Sequence, residues 1–262
     1  MKVGIIQLTS DVDYKLNLDK VRMYLAQAKE QNVEAIFLPE CFYSLSNGIE
    51  PSPYIINGKD EHFKNIEALA TDFGLYILGG TSAAYGIGGV RNRCYNFDPN
   101  GRDLGSYDKI HLFSCDITNS QGEKKVINEA DIYNPGDETK IIEAGPLKIG
   151  LGICFDLRYP EMYREYGKKE VNVITISSAF TIPTGKAHWH VLIRARAIEN
   201  QCYAIAAAQW GKNNEKISTY GHSLIVDPWG KVIVDAGEGE KLVTADLDLE
   251  LPKIIRQKVH VF

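Results

Sequence analysis

The chain has 262 residues, 44% hydrophobic and 24% charged, a balance that suits a folded protein with one sizeable core. Its 29 Lys and Arg against 34 Asp and Glu leave a net charge of −5, which excludes a global basic field for nucleic acid or an anionic membrane and points to a small partner. No apolar run is long enough to cross a bilayer, no leader pattern precedes the first strand, and five scattered cysteines without a Cys-x-x-Cys pair fit a reducing cytosol.

In chain order, Lys2 to Leu8 reads as a strand. Asp13 can cap a helix to about Gln31, whose Leu18, Val21, Leu25 and Ala28 follow the spacing of one buried stripe. Ala35 to Leu38 is a buried strand stopped by Pro39-Glu40. A second helix, roughly Asp60 to Phe73, carries Phe63, Ile66, Leu69 and Ala70 on one side, and Leu75 to Leu78 follows as a strand. Glycines between Gly79 and Gly101 suggest the turns of a meander, and a short strand ends near Lys109. The polar stretch from about Ser114 to Gly136 is too long for an idle connection and is predicted to line something.

Strands are predicted around Thr139 to Ile142 and Leu147 to Ile153, then, after Cys154, a short helix to about Lys168 and a strand from Val171 to Ser177. A helix near Lys186 to Asn200 and a strand from Cys202 to Ala208 come next. The last quarter reads as antiparallel strands over Ser218 to Val226, Lys231 to Val234 and Leu242 to Leu247. Strands alternating with helices predict an α/β layered fold of two packed sheets, one domain over residues 1–262.

Three ionisable residues stand at the ends of strand-like runs: Glu40, Lys109 and Cys154. Ligands of layered α/β folds gather at the carboxyl ends of strands, so these three are candidates for one crevice. Their chemistry is complementary, a carboxylate to take a thiol proton, an ammonium to stabilise an oxyanion, and a soft nucleophile. Cys154 also precedes a Pro-initiated helix, whose dipole is expected to lower the thiol pKa. Taken singly, a strand-end Glu or Lys is a solvated surface charge, and Cys41, Cys94, Cys115 and Cys202 read as small core hydrophobes.

Wider context joins the three. Leu38-Pro-Glu-Cys-Phe42, Tyr107-Asp-Lys-Ile-His-Leu-Phe113 and Gly152-Ile-Cys-Phe-Asp-Leu-Arg-Tyr-Pro-Glu161 closely resemble, in order and spacing, the three catalytic signatures of the nitrilase superfamily of carbon–nitrogen hydrolases. The likeness runs from Val3-Gly-Ile-Ile-Gln7 to Tyr220-Gly-His-Ser-Leu-Ile-Val-Asp-Pro-Trp-Gly230. It implies an α-β-β-α sandwich of two mixed sheets flanked by helices, with a Glu-Lys-Cys triad mapping onto Glu40, Lys109 and Cys154. Glu129, in Glu-Ala-Asp-Ile-Tyr-Asn-Pro-Gly136, resembles a supporting family glutamate, and the Phe155 N–H matches an oxyanion donor.

The segments Gln201-Cys-Tyr203, Ala206-Ala-Ala-Gln209, Glu215-Lys216 and Tyr220-Gly-His-Ser223 are similar to the Nit branch, and within it to deaminated glutathione amidases, with the ω-amidases of α-ketoglutaramate close by. The resemblance implies a small amide substrate, no metal or cofactor, and a homodimer or higher homo-oligomer. No His-Glu-x-x-His or acidic metal loop is present, and His188-x-His190 is the one close histidine pair. That pair reads as packing or hydrogen-bonding residues flanking a helix start, while its position soon after Ser177-Ser-Ala-Phe180 also allows His188 near the predicted pocket. A carboxylated amide calls for a cation; Arg158, four residues after Cys154, is the candidate, a salt bridge within its helix being the alternative role.

Two segments depart from the branch. Phe113-Ser-Cys-Asp-Ile-Thr-Asn-Ser-Gln-Gly122 lacks its usual Pro-Gly, which leaves substrate choice at that wall open, and the sequence ends at His260-Val-Phe262 without the Arg-Arg-containing tail of relatives. Other classes stay in view. Gly79-Gly80 and Gly86-Ile-Gly-Gly89 prompt a nucleotide-binding module but complete no Gly-x-Gly-x-x-Gly or P-loop, and a silent binding relative would not need Glu40, Lys109 and Cys154 intact.

Overall fold

Along the first strand, Lys2–Gln7, alternation sends Val3 and Ile5 into one buried cluster and Ile6, with Leu8 just beyond, into another. The computed structural model describes the backbone of residues 1–118 and 124–262, and the side chains outside 117–127. The first strand is central in a four-stranded sheet, antiparallel to Lys241–Asp246 on one side and parallel on the other to Ala35–Phe37, which pairs in parallel with Tyr76–Leu78. A six-stranded sheet runs in the order Val232–Asp235, Leu224–Val226, Tyr203–Ala206, Val173–Thr175, Leu147–Gly150, Ile141–Ala144, with the third to fifth of these parallel.

Helices α1 (Tyr14–Glu30) and α2 (Glu61–Phe73) cover the outer face of the smaller sheet: Val21, Leu25, Phe63 and Ile66 pack against Ile6, Ile36 and Ile77. The opposite face, carrying Val3, Ile5, Phe37 and Leu78, joins the cluster built on the larger sheet. Helices α3 (Pro160–Lys168) and α4 (Ile182–Asn200) add Tyr163, Tyr166, Trp189 and Ile193 to that cluster, which gives the layers α-β-β-α. Both early helices start as their sequence predicts: the Asp13 carboxylate accepts from the Lys15 N–H and that of Asp60 from the Phe63 N–H. Gly74 closes α2 in the left-handed region at φ 64°.

Four differences from the sequence reading have local causes. The helix expected after Cys154 is preceded by a 3-10 turn over Cys154–Arg158 and starts as α3 only at Pro160, the two being parted at Tyr159, the residue before the proline. Helix α4 begins at Ile182, because Pro183 is tolerated in a first turn. The strand expected over 218–226 is split into Ser218–Tyr220 and Leu224–Val226, since Gly221 and His222 both take left-handed φ, 74° and 54°. A last helix, α5 (Leu251–Lys258), buries Pro252 and Ile255; at 8 residues it is too short for its apolar spacing to stand out in the sequence. No helix among the described residues is long and apolar enough to cross a membrane.

The polar stretch resolves into strands Ser114–Thr118 and Lys124–Asn128, then a 3-10 turn over Glu129–Asp131. Residues 119–122 of the segment that departs from the Nit branch lie outside the described residues.

Candidate active site

Three strand ends deliver three side chains to one place. Glu40 follows Ala35–Phe37, Lys109 follows Tyr107–Asp108, and Cys154 follows Leu147–Gly150 after a parallel bridge between Ile153 and Ser177. All line a cavity of about 420 Å³, yet they are only 4, 2 and 8% exposed. The backbone turns sharply at Cys154, whose φ of 48° is left-handed, an uncommon conformation for a side chain with a Cβ. Its N–H donates to Ser177 O at 2.9 Å, so the strained turn is anchored to the next strand.

The charges are arranged around Lys109. Its ammonium donates to Glu40 Oε1 at 2.9 Å and to Glu129 Oε2 at 2.7 Å. Asn92 Nδ2 bridges the same carboxylates, at 2.9 Å from Glu40 Oε1 and 3.3 Å from Glu129 Oε1. Glu40 Oε2 accepts from the Ala179 N–H at 2.8 Å, and Glu129 Oε2 from the Phe113 N–H at 2.8 Å. Gly136 brings the end of the polar stretch against this group: its N–H donates to Lys109 O at 2.8 Å, and a Cβ there would collide with the Asp108 carbonyl.

Burial alone would lower the Lys109 pKa, but Glu129 and then Glu40 hold it well above the ordinary lysine value, so the ammonium persists. For Cys154 the balance goes the other way. Burial, then the charge of Glu40, push the thiol well above its ordinary value against the pull of Lys109. The expectation that a helix dipole makes a ready thiolate is thus corrected. Cys154 opens a short 3-10 turn rather than α3, and desolvation beside a carboxylate outweighs the dipole. A protonated thiol beside a carboxylate, with an ammonium held close, can attack an electrophilic carbon only as its proton leaves.

The carbon-nitrogen hydrolase family pattern matches residues 2–257. The chain belongs to the carbon-nitrogen hydrolase family. An ω-amidase NIT2 of Xenopus tropicalis is 34% identical over 260 residues, covering 99% of this chain and 93% of that protein. A deaminated glutathione amidase of Dictyostelium discoideum is 35% identical over 272 residues, covering 100% and 92%. Among solved structures, Saccharomyces cerevisiae Nit3, described as a member of branch 10 of the nitrilase superfamily, superposes with a TM-score of 0.85 at 29% identity, covering 100% of this chain and 94% of that one. The chain is therefore an amidohydrolase acting on carbon–nitrogen bonds.

In this carbon-nitrogen hydrolase, Glu129, Phe155 and Arg158 line the same cavity as the three strand-end residues. Arg158 forms no salt bridge among the described residues; its guanidinium sits 5.5 Å from the Phe155 ring and 5.4 Å from the Phe180 ring. His188 is not among the lining residues. It is exposed on α4, with Nδ1 3.3 Å from both terminal nitrogens of Arg158, and so stands behind the arginine. The polar stretch does line the cavity, through Asn128, Glu129, Ile132 and Tyr133.

Sequence reasoning missed Asn92 and the Ala179 N–H. Asn92 had a signal, being an amide within the strand Gly89–Cys94, a place where Asn is depleted. Cys41 is corrected from core filler to cavity wall, while Cys94 and Cys202 are buried, their thiols pushed up to about 12 by desolvation. Asp156, fully buried, also went unread. It accepts from the Tyr107 hydroxyl at 2.7 Å, the Ile153 N–H at 2.9 Å and the His111 N–H at 3.0 Å, tying the segments on either side of Lys109 and Cys154 together. Asp156→Ala strands three donors, so urea denaturation is expected to show a loss of about 3–5 kcal/mol; a loss below about 1 kcal/mol contradicts this role.

Proposed function

We propose that this amidohydrolase cleaves a small carboxylated amide through a thioester on Cys154, with deaminated glutathione as its first candidate substrate and α-ketoglutaramate as its second. The observation that carries the reading is the buried contact of Lys109 with both Glu40 and Glu129 in the cavity that Cys154 lines. Glu40 takes the Cys154 proton as sulfur attacks the amide carbon, and the carbonyl oxygen becomes an oxyanion. Lys109 and the Phe155 N–H donate to that oxyanion; losing one such donor costs on the order of 3 kcal/mol of barrier. Glu40 returns the proton to nitrogen, the C–N bond breaks and ammonia leaves. Water, deprotonated by Glu40, then attacks the thioester carbon, the C–S bond breaks, and Glu40 returns the proton to sulfur, which leaves the acid and the free thiol. The residues in this scheme need no metal or cofactor for any step.

Arg158 supplies the cation for the substrate carboxylate, lying over the rings of Phe155 and Phe180 and braced by His188. A cavity of about 420 Å³ suits a compound of this size. The preference rests on the named relatives and on the branch wording at Glu215-Lys216, both cavity-lining residues. Ammonia release should be compared for deaminated glutathione, α-ketoglutaramate, an N-carbamoyl amino acid and a nitrile; preference for either of the last two contradicts the assignment. Arg158→Met is expected to lower kcat/KM for carboxylated amides by about tenfold to a hundredfold and to leave a neutral amide within a few-fold.

A further inference from the structure

We propose that His190, His222 and Asp235 form a surface site for a divalent transition metal ion of the zinc class, apart from the amide-cleaving cavity. None of the three lines that cavity. They come from three separate segments: His190 from the middle of α4, His222 from the turn that splits the strands Ser218–Tyr220 and Leu224–Val226, and Asp235 from the end of Val232–Asp235.

Their donor atoms converge. His190 Nε2 lies 3.0 Å from Asp235 Oδ2, and His222 Nδ1 lies 2.9 Å from Asp235 Oδ1 and 3.2 Å from Oδ2. One ligand atom from each residue falls within 4.8 Å of the others. An ion about 2.0–2.2 Å from each of its ligands in a tetrahedral arrangement sets those ligands about 3.3–3.6 Å apart, so small side-chain adjustments admit it. Each imidazole binds the ion through the nitrogen that faces the carboxylate, with its proton carried on the other ring nitrogen, and water completes the coordination. Two imidazoles to one carboxylate favour zinc-class ions over calcium or magnesium, which seek oxygen ligands.

The geometry is also held in advance. The His222 N–H donates to Gly237 O at 3.0 Å, and its carbonyl accepts from the indole of fully buried Trp189, the residue beside His190, at 2.7 Å. The His222 ring stacks on Tyr220 with centroids 4.4 Å apart. Asp235 Oδ1 accepts from the Gly237 N–H at 2.8 Å, which orients the carboxylate as outer-shell partners do at metal sites. Side-chain exposures of 34, 23 and 34% for His190, His222 and Asp235 leave a path for the ion to enter.

A bound ion would clip α4 to the turn after Ser218–Tyr220. The first turn of α4, through Thr184, and the start of that strand, through Ser218, are walls of the cavity. The ion is thus expected to stabilise the fold around the cavity without entering the chemistry, because it binds the folded chain and finds no such cluster in the unfolded one.

The test uses chelator-stripped full-length protein titrated with Co²⁺, whose visible d–d bands report coordination, followed by displacement with Zn²⁺ and thermal unfolding with and without Zn²⁺. One Co²⁺ per chain is expected, displaced by Zn²⁺, with a Tm that rises with Zn²⁺ concentration. The Cys154→Ala protein, which lacks the nucleophilic thiol of the cavity, should behave the same way. His190→Asn, at a half-buried helix position, and His222→Asn, which keeps a residue tolerant of the left-handed turn, should each weaken Co²⁺ binding at least about tenfold and remove the Tm rise. Metal-free ammonia release by His190→Asn at the wild-type level verifies its fold. Co²⁺ binding unchanged in both asparagine variants, bands that vanish in Cys154→Ala, or no Tm response in the wild type overturns the proposal.

Discussion

Replacing Cys154 by alanine is expected to cut ammonia release by at least about 10⁴-fold while leaving the fold intact. The side chain lies in a left-handed turn anchored by its own N–H to Ser177 O, so removing sulfur disturbs no main-chain hydrogen bond. It also leaves Lys109 paired with Glu40 and Glu129. A steady-state ammonia assay together with circular dichroism checks both halves. Turnover within tenfold of wild type would remove Cys154 from the nucleophile's role.

Glu40→Gln carries the second large effect, and it separates two readings of the carboxylate. As the general base its loss is expected to lower kcat by about 10²–10⁴-fold. Its charge, however, is the largest influence after burial holding the Cys154 thiol above its ordinary pKa. Removing that charge, with Lys109 still in place, should therefore lower the thiol pKa and speed alkylation at neutral pH as turnover collapses. The sign follows from the thiol itself: its neutral form is favoured beside an anion, and neutralising the anion favours the thiolate. A glutamine amide cannot satisfy both the Lys109 and Asn92 donors on one oxygen and the Ala179 N–H on the other, so some loss of stability accompanies the change. Slower alkylation, read from the pH dependence of iodoacetamide modification, would contradict the electrostatic account.

Much of this was legible in the residues. The apolar stripes of α1 and α2 and their aspartate caps predicted both helices to within a residue or two, because burial and capping there are local effects. Glu40, Lys109, Glu129 and Cys154 were nominated by motif and come together in one cavity. What was not legible depended on long-range partners or on backbone angles. The thiol's environment reversed the dipole argument, since burial and Glu40 act across 114 residues of sequence and no helix of ordinary length starts at Cys154. Asn92 and Asp156 act only through partners folded against them from distant segments. The cluster of His190, His222 and Asp235 had no spacing to betray it, as Asp235 stands 45 residues from one histidine and 13 from the other.

The most direct test of the central claim is to mix the enzyme with deaminated glutathione, quench in acid within a turnover, and map the adduct by mass spectrometry. An acyl group is expected on the peptide bearing Cys154, equal in mass to the substrate less ammonia and absent from Cys154→Ala. Ammonia release at full rate with no adduct on that peptide, or with the adduct on Cys41, would contradict it.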